Sequence, residues 1–465
     1  MTEDLSPARG VFAGNSSSSS RTTKLTLLPL VAATFFMVSG GTYGTEDIVH
    51  GAGYGRGMLI LLITPILWCL PTAYMIGELS SAIPAEGGYY AWVRRGCGKF
   101  WGFQEAWLSL MASIFDMAIY PALFVAYLKH LIPWFAPHGR GVMVALAVVA
   151  VCTLLNLAGV RAVAGTSLWL FAALSAPFAV ICILAPFRHG TLAAAAPPSA
   201  STVGIVGGIL IAMWNYMGWD NASTIATEVD RPQHTYPRAI FLAVLIVALT
   251  YLLPVAAMAL TGLSPRAWET GSWAEIAGML GGNWLRVALV FGGMFSAFGM
   301  MNALVMSYSR LPLAMAQDGM LPGVFARLHP RTRAPWVAIL VCALGWAVCL
   351  GLDFERLVTI DILLSGASVL LEFAALVALR YREPELARPF RVPGGLAGAW
   401  LAGVFPLLLL GIAAAHGQRE SVLGVSALTV GILLIVSGLV VYWLNGLLKP
   451  AGWVAPESEP FPETD

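Results

Sequence analysis

The sequence predicts an all-α polytopic membrane protein with twelve transmembrane helices, and three observations carry this prediction. Of the 465 residues, 58% are hydrophobic and only 11% are charged, whereas soluble domains carry about 25% charged residues. Apolar stretches long enough to cross a bilayer, about 20 residues each, recur along nearly the whole chain. Two of these stretches contain glycines and carboxylates where a spanning helix should be most regular, which indicates a cavity inside the helix bundle.

The apolar stretches define twelve predicted spans with short connections between them. Their predicted limits are 26–53, 58–82, 101–129, 141–158, 166–187, 203–228, 238–262, 283–315, 334–352, 357–380, 397–415 and 422–447. When the connections are assigned to alternate sides, most of the 26 lysines and arginines fall on one side. Because cytoplasmic loops carry the excess of basic residues, we expect both termini in the cytoplasm and the protein in the cell (inner or plasma) membrane.

The first span breaks at Ser39, Gly40 and Gly41 and is followed by two acids, Glu46 and Asp47. Glycine costs about 1 kcal/mol relative to alanine in a helix interior, and a charge at the bilayer centre costs roughly 2.5 to 3.5 kcal/mol. Such a segment is tolerated where it lines a cavity instead of facing lipid. Acids in the first turn of a resumed helix are also stabilised by the helix dipole, so Glu46 and Asp47 have a structural interpretation beside the substrate-binding one.

The sixth span contains a second break, which includes Asn215, Tyr216, Trp219 and Asp220. It holds the same ordinal place in a second group of five spans as the first break does in the first group. Interrupted helices at corresponding positions of two halves are typical of secondary transporters built from inverted repeats, in which the breaks form the binding site. Unwinding frees backbone groups that can coordinate a polar solute.

The paired breaks predict two repeats followed by two further spans. The predicted ranges are 1–25 for a cytoplasmic N-terminal tail, 26–187 for the first inverted repeat, 203–380 for the second, 397–447 for spans 11 and 12, and 448–465 for a cytoplasmic C-terminal tail.

Six motifs resemble a known family in order and spacing. They are VSGGTYGTEDIV (38–49), GELSSAIPAEGGYYAWV (77–93), GFQEAW (102–107), FDMAIYPALF (115–124), WNYMGWDNASTIATEVDRPQHTYPRA (214–239) and SRLPLAMAQDGMLP (309–322). The chain resembles the amino acid-polyamine-organocation (APC) superfamily, and within it the branch of L-type amino acid and polyamine uptake transporters. The resemblance implies a LeuT-type 5+5 inverted repeat with broken helices 1 and 6, alternating access, and an amino acid or polyamine as substrate.

The resemblance also implies which residues bind substrate. They are Ser39, Gly40, Gly41, Glu46, Asp47, Asp116, Tyr120, Asn215, Tyr216, Trp219 and Asp220. The commoner superfamily form of the first break has no acids close behind it. With Glu46 and Asp47 at this place, we expect the break to prefer an amine over a substrate carboxylate.

The carboxylates near the breaks predict a proton-coupled carrier of organic cations such as polyamines. Asp116 and Asp220 are the candidates for the coupling proton, because burial favours the neutral form of a carboxyl group. Aromatic residues of the second break, Trp214 among them, suit cation–π contact with an ammonium group.

The fifth span has neither a lysine nor an acid. The lysine with which some members of the superfamily occupy a sodium position is therefore missing. A proton is therefore expected in preference to sodium, and sodium binding by backbone carbonyls near Ser39 stays an alternative.

Other functions remain as alternatives. A neutral amino acid exchanger of the same fold is the first, an ion channel would need a filter repeated by oligomerisation, and a polytopic membrane enzyme would need a metal or nucleophile constellation. The six cysteines form no CxxC or Cys/His cluster and the seven histidines are scattered, so no metal, cofactor or catalytic site is expected. A net charge of +1 with dispersed basic residues argues against a nucleic-acid partner.

Overall fold

The computed structural model describes residues 25–85, 87–135, 137–158, 167–192, 204–352, 354–422 and 424–448. Apart from one residue each, the two predicted tails lie outside these ranges. The first half of the described chain contains α1 (Leu27–Val38), α2 (Glu46–Thr64), α3 (Leu70–Ala82), α4 (Tyr89–Cys97), α5 (Lys99–Leu131), α6 (His138–Ala158) and α7 (Ser167–Leu184).

The second half contains α8 (Ile205–Asn215), α9 (Pro232–Ala259), α10 (Trp273–Gly281), α11 (Asn283–Tyr308), α12 (Arg310–Gln317), α13 (Trp336–Ala347), α14 (Phe354–Arg382), α15 (Gly395–Gly417) and α16 (Ala427–Leu448). A π-helix, Pro65–Cys69, joins α2 to α3, and a 3-10 helix, Trp219–Glu228, follows α8. Two short strands, Ser421–Val422 and Val425–Ser426, form an antiparallel hairpin between α15 and α16.

Among the described residues, nine helical segments are long and apolar enough to cross a membrane. Three of the twelve predicted spans are not among these nine segments, because their helices are interrupted or short. Predicted span 1 is divided by its break, and its second part runs into span 2 within the segment Glu46–Ala82. This segment bends at Gly53, where φ is 73°. Predicted spans 6 and 9 correspond to α8 and α13, which are each shorter than the length required.

Both breaks predicted in the sequence are present in the backbone. Helix α1 ends at Val38, Ser39 is extended, and the chain turns through Gly41 and Gly44 with φ of 82° and 90° before α2 begins. The second break follows α8 and includes Gly218, with φ of 90°. Only glycine adopts these left-handed conformations without a steric penalty, so the glycines of the two motifs permit the breaks.

The two breaks contact each other at the centre of the protein. A Cβ atom on Gly218 would lie 2.7 Å from the Met37 carbonyl oxygen, so glycine is needed for this approach. The Tyr251 hydroxyl of α9 lies 2.7 Å from both Ser39 Oγ and the Asn215 carbonyl oxygen and joins one break to the other. Beside the breaks, α5 packs against α11 and α14, which brings long helices from both halves to the same place.

Candidate functional site

A small cavity of about 40 Å³ lies where the breaks meet α5 and α14. A water molecule needs roughly 10 to 15 Å³ of such space, so this closed conformation has room for water and not for a large solute. The polar side chains that line the cavity are three carboxylates, six hydroxyls and one asparagine, and tryptophans contribute to the wall. The carboxylates belong to Asp116, Asp220 and Asp361.

Asp116 lies midway along α5 and accepts hydrogen bonds from three aromatic side chains. The Tyr120 hydroxyl donates to Oδ1 at 2.7 Å, the Trp214 indole donates to the same oxygen at 3.2 Å, and the Tyr308 hydroxyl donates to Oδ2 at 3.2 Å. Tyr120 is one helical turn from Asp116, which is why the two side chains meet. The predicted residues Asp116 and Tyr120 thus line the cavity together.

Asp361 of α14 is a cavity residue that the sequence analysis did not single out. It is 2% exposed, and the only hydrogen bond drawn to it in the described structure comes from the Ser365 hydroxyl, at 2.9 Å to Oδ1. It lies close enough to Asp116 for the two carboxyl groups to interact electrostatically. The signal that could have identified it is the one used for Asp116, a carboxylate within an apolar span.

The second break contributes Trp219 and Asp220 to the cavity. The Trp219 indole donates to the Tyr216 carbonyl at 2.7 Å, which holds the ring in place beside the unwound backbone. Asp220 is half-buried at the start of the 3-10 helix. Both residues therefore line the cavity, and their role in binding stays a prediction.

The remaining residues of the second break, Asn215 and Tyr216, hold the break in place and do not line the cavity. The Asn215 amide donates to the Ile211 carbonyl at 2.8 Å and to the Gly44 carbonyl at 3.4 Å. The Tyr216 hydroxyl donates to the Leu61 carbonyl at 2.9 Å. These bonds connect the two breaks and α2.

The first break contributes to the cavity through Met37 and Val38. Ser39, Gly40 and Gly41 lie directly after them, and their polar groups are engaged within the protein. The Gly41 N–H donates to Ser39 Oγ at 3.0 Å, and the Ser296 hydroxyl of α11 donates to the Gly40 carbonyl. These three predicted residues do not line the cavity themselves but directly follow Met37 and Val38, which do.

Glu46 and Asp47 lie away from the cavity and are fully buried by other groups. Glu46 accepts from the Gly44 N–H at 2.6 Å, the Tyr127 hydroxyl at 2.5 Å and the Gly271 N–H at 3.1 Å. The Thr270 hydroxyl donates to Asp47 at 2.6 Å. Glu46 thereby ties the first break to α5 and to the segment before α10.

None of the salt bridges among the described residues includes an acid of the cavity. Arg94 with Asp318 (2.5 Å) and Arg95 with Glu383 (2.6 Å) are examples of pairs that lie elsewhere. Both arginines belong to α4, and their partners directly follow α12 and α14. In the part of the chain that the structure describes, no group of three or more His, Cys, Asp or Glu side chains could hold a metal ion. The cavity therefore presents negative charge, hydroxyls and aromatic faces, which suit a cation that donates hydrogen bonds.

Comparison with known proteins identifies a family and several relatives. The family described as amino acid permease matches residues 31–444. The chain is 34% identical to Polyamine transporter RMV1 of Arabidopsis thaliana over 445 residues, which are 93% of this chain and 87% of that protein. It is 34% identical to Polyamine transporter PUT1 of Oryza sativa subsp. japonica over 434 residues, which are 91% of this chain and 80% of that protein.

Proposed function

The chain belongs to the amino acid permease family of the APC superfamily and is therefore a multi-pass membrane transporter and not an enzyme, and we propose that its substrates are organic cations of the polyamine class. The observation that carries this proposal is the cavity lined by Asp116, Asp220 and Asp361. The carboxylate of an amino acid would be repelled there, whereas an ammonium group gains charge-assisted hydrogen bonds.

The substrate contacts follow from the geometry of the cavity. Asp116 and Asp361 receive one ammonium group between α5 and α14, and Trp214 and Trp219 provide aromatic faces for its methylene chain. Asp220 adds a third negative charge from the second break. Binding requires the cavity to enlarge, because about 40 Å³ is too little for a diamine.

Residues of the first break act on the site through the backbone. Ser39, Gly40 and Gly41 position Met37 and Val38 against the second break, together with Asn215 and Tyr216. Glu46 and Asp47, in the first turn of α2, fix the start of this helix through their hydrogen bonds to α5 and to the segment before α10. Movement of the breaks relative to α5 and α14 then exposes the site to one side of the membrane at a time.

The architecture that we propose has twelve spans, since the LeuT-type fold implied by the family accommodates the broken spans 1 and 6. The two inverted repeats cover 26–187 and 203–380, followed by spans 11 and 12. Both termini face the cytoplasm, because the basic residues then lie inside. The protein acts in the cell membrane.

The coupling ion in this proposal is a proton held by Asp116 or Asp220. Each acid lines the cavity, so its protonation state and the binding of a cation influence each other directly. A proton that neutralises one of these acids leaves the other carboxylates of the cavity to bind the cation. Proton and substrate are then carried inward together, and both are released into the cytoplasm.

Uptake into proteoliposomes tests the proposed function. The protein is reconstituted, and uptake of labelled putrescine, spermidine, arginine and leucine is measured with and without an inward proton gradient. We expect the polyamines to accumulate and the gradient to stimulate their uptake. Transport of leucine without entry or competition by diamines would contradict the proposal and favour a neutral amino acid exchanger. Accumulation driven by a sodium gradient alone would contradict proton coupling.

A further inference from the structure

Within the part of the chain that the structure describes, two buried glutamates outside the cavity have carboxylate oxygens without a hydrogen-bond partner. Glu105 of α5 and Glu372 of α14 are both 0% exposed. Glu105 Oε1 accepts from Ser109 at 3.0 Å and from Ser368 at 2.8 Å, while its Oε2 has no hydrogen-bond partner. Neither carboxylate oxygen of Glu372 has one. Burying an ionised carboxylate without a hydrogen-bond donor costs free energy. A cationic group bound beside this pair would supply both the missing donors and the opposite charge.

The two glutamates continue a regular pattern between α5 and α14. The helices run antiparallel, since Glu105 and Ser109 of α5 bond to Ser368 of α14 while Arg95, before α5, bonds to Glu383, after α14. In this register Asp116 is level with Asp361, and Glu105 is level with Glu372, and the two acids of each level interact electrostatically. Within each helix the two acids are eleven residues apart. Eleven residues make about three turns, which returns the side chain to the same helix face about 16 Å further along the axis.

Hydroxyl groups connect the two acid levels. Ser109 and Ser368 hydrogen-bond to each other at 2.9 Å, and both line the cavity while also bonding to Glu105. This pair of serines thus links Glu105 to the cavity wall. The Tyr89 hydroxyl of α4 is buried near the same acids and faces Ser109 without a hydrogen bond of normal length.

Asp220 interacts electrostatically with the acids of both levels. Its charge acts on Asp116 and Asp361 and also on Glu105 and Glu372. None of the salt bridges in the described ranges includes any of these five acids. The five acids therefore form a line of carboxyl groups along α5 and α14.

We infer that Glu105 and Glu372 form a second ammonium-binding subsite, which receives the far end of a long polyamine whose near end is bound between Asp116 and Asp361. This inference rests on the proposed function. An ammonium group supplies three N–H donors and a positive charge, which match the unpaired oxygens of the glutamates. Asp220 then serves the inner amine of the chain.

The spacing of this line of carboxyl groups predicts selection by chain length. Bonds of about 1.5 Å in an extended staggered chain advance about 1.25 Å each, so the terminal nitrogens lie about 6 Å apart in putrescine, 11 Å in spermidine and 16 Å in spermine. The two acid levels are about 16 Å apart along the helix axes, and the acid side chains shorten this gap. Putrescine reaches one level only, whereas spermidine and spermine can bridge both.

Competition measurements with matched variants test this inference. Half-inhibitory concentrations of putrescine, spermidine and spermine are measured against uptake of labelled putrescine by the full-length protein in proteoliposomes. We expect the wild-type protein to bind spermidine roughly tenfold or more tightly than putrescine, as befits an additional charged hydrogen-bonding contact. In Glu372→Gln and in Glu105→Gln this ratio falls towards one.

Two further variants separate loss of charge from loss of folding. Glu372→Asp keeps the charge and retains most of the length preference. Glu385→Gln removes an exposed acid between α14 and α15 and leaves the ratio as in the wild-type protein. If Glu372→Gln abolishes all uptake, binding of labelled spermidine and putrescine to the purified variant gives the same ratio directly.

The outcomes distinguish this inference from the proposed function. An unchanged ratio of spermidine to putrescine in both glutamine variants overturns the inference and leaves the proposed function standing. An unchanged ratio with loss of stimulation by the proton gradient also overturns it, since the pair then holds a proton. If the wild-type protein takes up neither putrescine nor spermidine, the proposed function fails and the inference with it.

Discussion

Two groups of acids at membrane depth differ in their surroundings, although their sequence signals are alike. Glu46 has three donors at hydrogen-bond distance, from Gly44, Tyr127 and Gly271, and lies away from the cavity. Asp361 has one donor, from Ser365, and lines the cavity. Asp116 also accepts three hydrogen bonds, but it lines the cavity as Asp361 does. A place on the cavity wall, and not the number of donors alone, therefore separates an acid that is available to a substrate from one that holds the fold together.

The largest effect is expected for Asp116→Asn. The substitution removes the negative charge that faces Asp361 and leaves the donors of Tyr120, Trp214 and Tyr308 with a weaker acceptor. We expect polyamine uptake to fall by about 100-fold or more, since a charged hydrogen bond contributes roughly 1.5 to 3 kcal/mol and the site loses its attraction for a cation as well. Uptake in proteoliposomes measures this, with gel filtration as the test of folding. Wild-type uptake by the variant would assign Asp116 to a structural role.

Glu46→Gln is expected to affect stability more than transport. The amide keeps one acceptor oxygen but turns a donor towards the Gly44 N–H or the Tyr127 hydroxyl, which breaks part of the network at a cost of about 1 to 3 kcal/mol. The thermal unfolding midpoint of the purified protein should fall by several degrees, while the putrescine concentration for half-maximal uptake stays within about twofold. A large change in that concentration with an unchanged midpoint would place Glu46 in the substrate site after all.

Asp361→Asn is expected to weaken the binding of putrescine without lowering stability. We expect a roughly tenfold weaker half-inhibitory concentration for putrescine, because one of two facing carboxylates is lost. Stability should be unchanged or higher, since Asp361 has few donors and faces a like charge. Loss of stability without loss of affinity would show that Asp361 behaves as Glu46 does. Competition assays and thermal unfolding of the same preparation give both readings.

The smallest effect is expected for Tyr251→Phe. Its hydroxyl joins Ser39 to the Asn215 carbonyl, and removal of such a buried hydrogen bond costs about 1 kcal/mol. Because the bond connects the two breaks and touches no cavity acid, we expect a lower thermal midpoint and an altered maximal uptake rate at unchanged putrescine affinity. An unchanged midpoint and rate would mean that the breaks are held together by other contacts.

Much of the site could be predicted from single residues in apolar spans. Asp116, Trp219 and Asp220 were identified in this way, and Tyr120 was implied by the resemblance to the family. All four line the cavity, and their role in binding stays a prediction. The resemblance to the APC superfamily is confirmed by the matches to the permease family and to plant transporters. The division into repeats and the orientation of the termini stay predictions, and the predicted tails fall almost wholly outside the described residues.

The residues that were missed depend on how two helices far apart in sequence are aligned. Asp361 and Glu372 are spaced on α14 as Glu105 and Asp116 are on α5, and this common spacing of eleven residues is visible in the sequence. What it does not reveal is that the helices run antiparallel in a register that brings Asp361 to Asp116 and Glu372 to Glu105. The contact between Ser109 and Ser368, at 2.9 Å, establishes that register.

The sequence by itself determined that the chain crosses a membrane many times and is broken at two corresponding places. Hydropathy and the conformational freedom of glycine act locally, so both can be read from consecutive residues. Only the tertiary structure decided which acids are satisfied and which remain available. The donors that satisfy Glu46 come from Tyr127 and Gly271, far along the chain, and the free energy of a buried charge depends on all the groups around it.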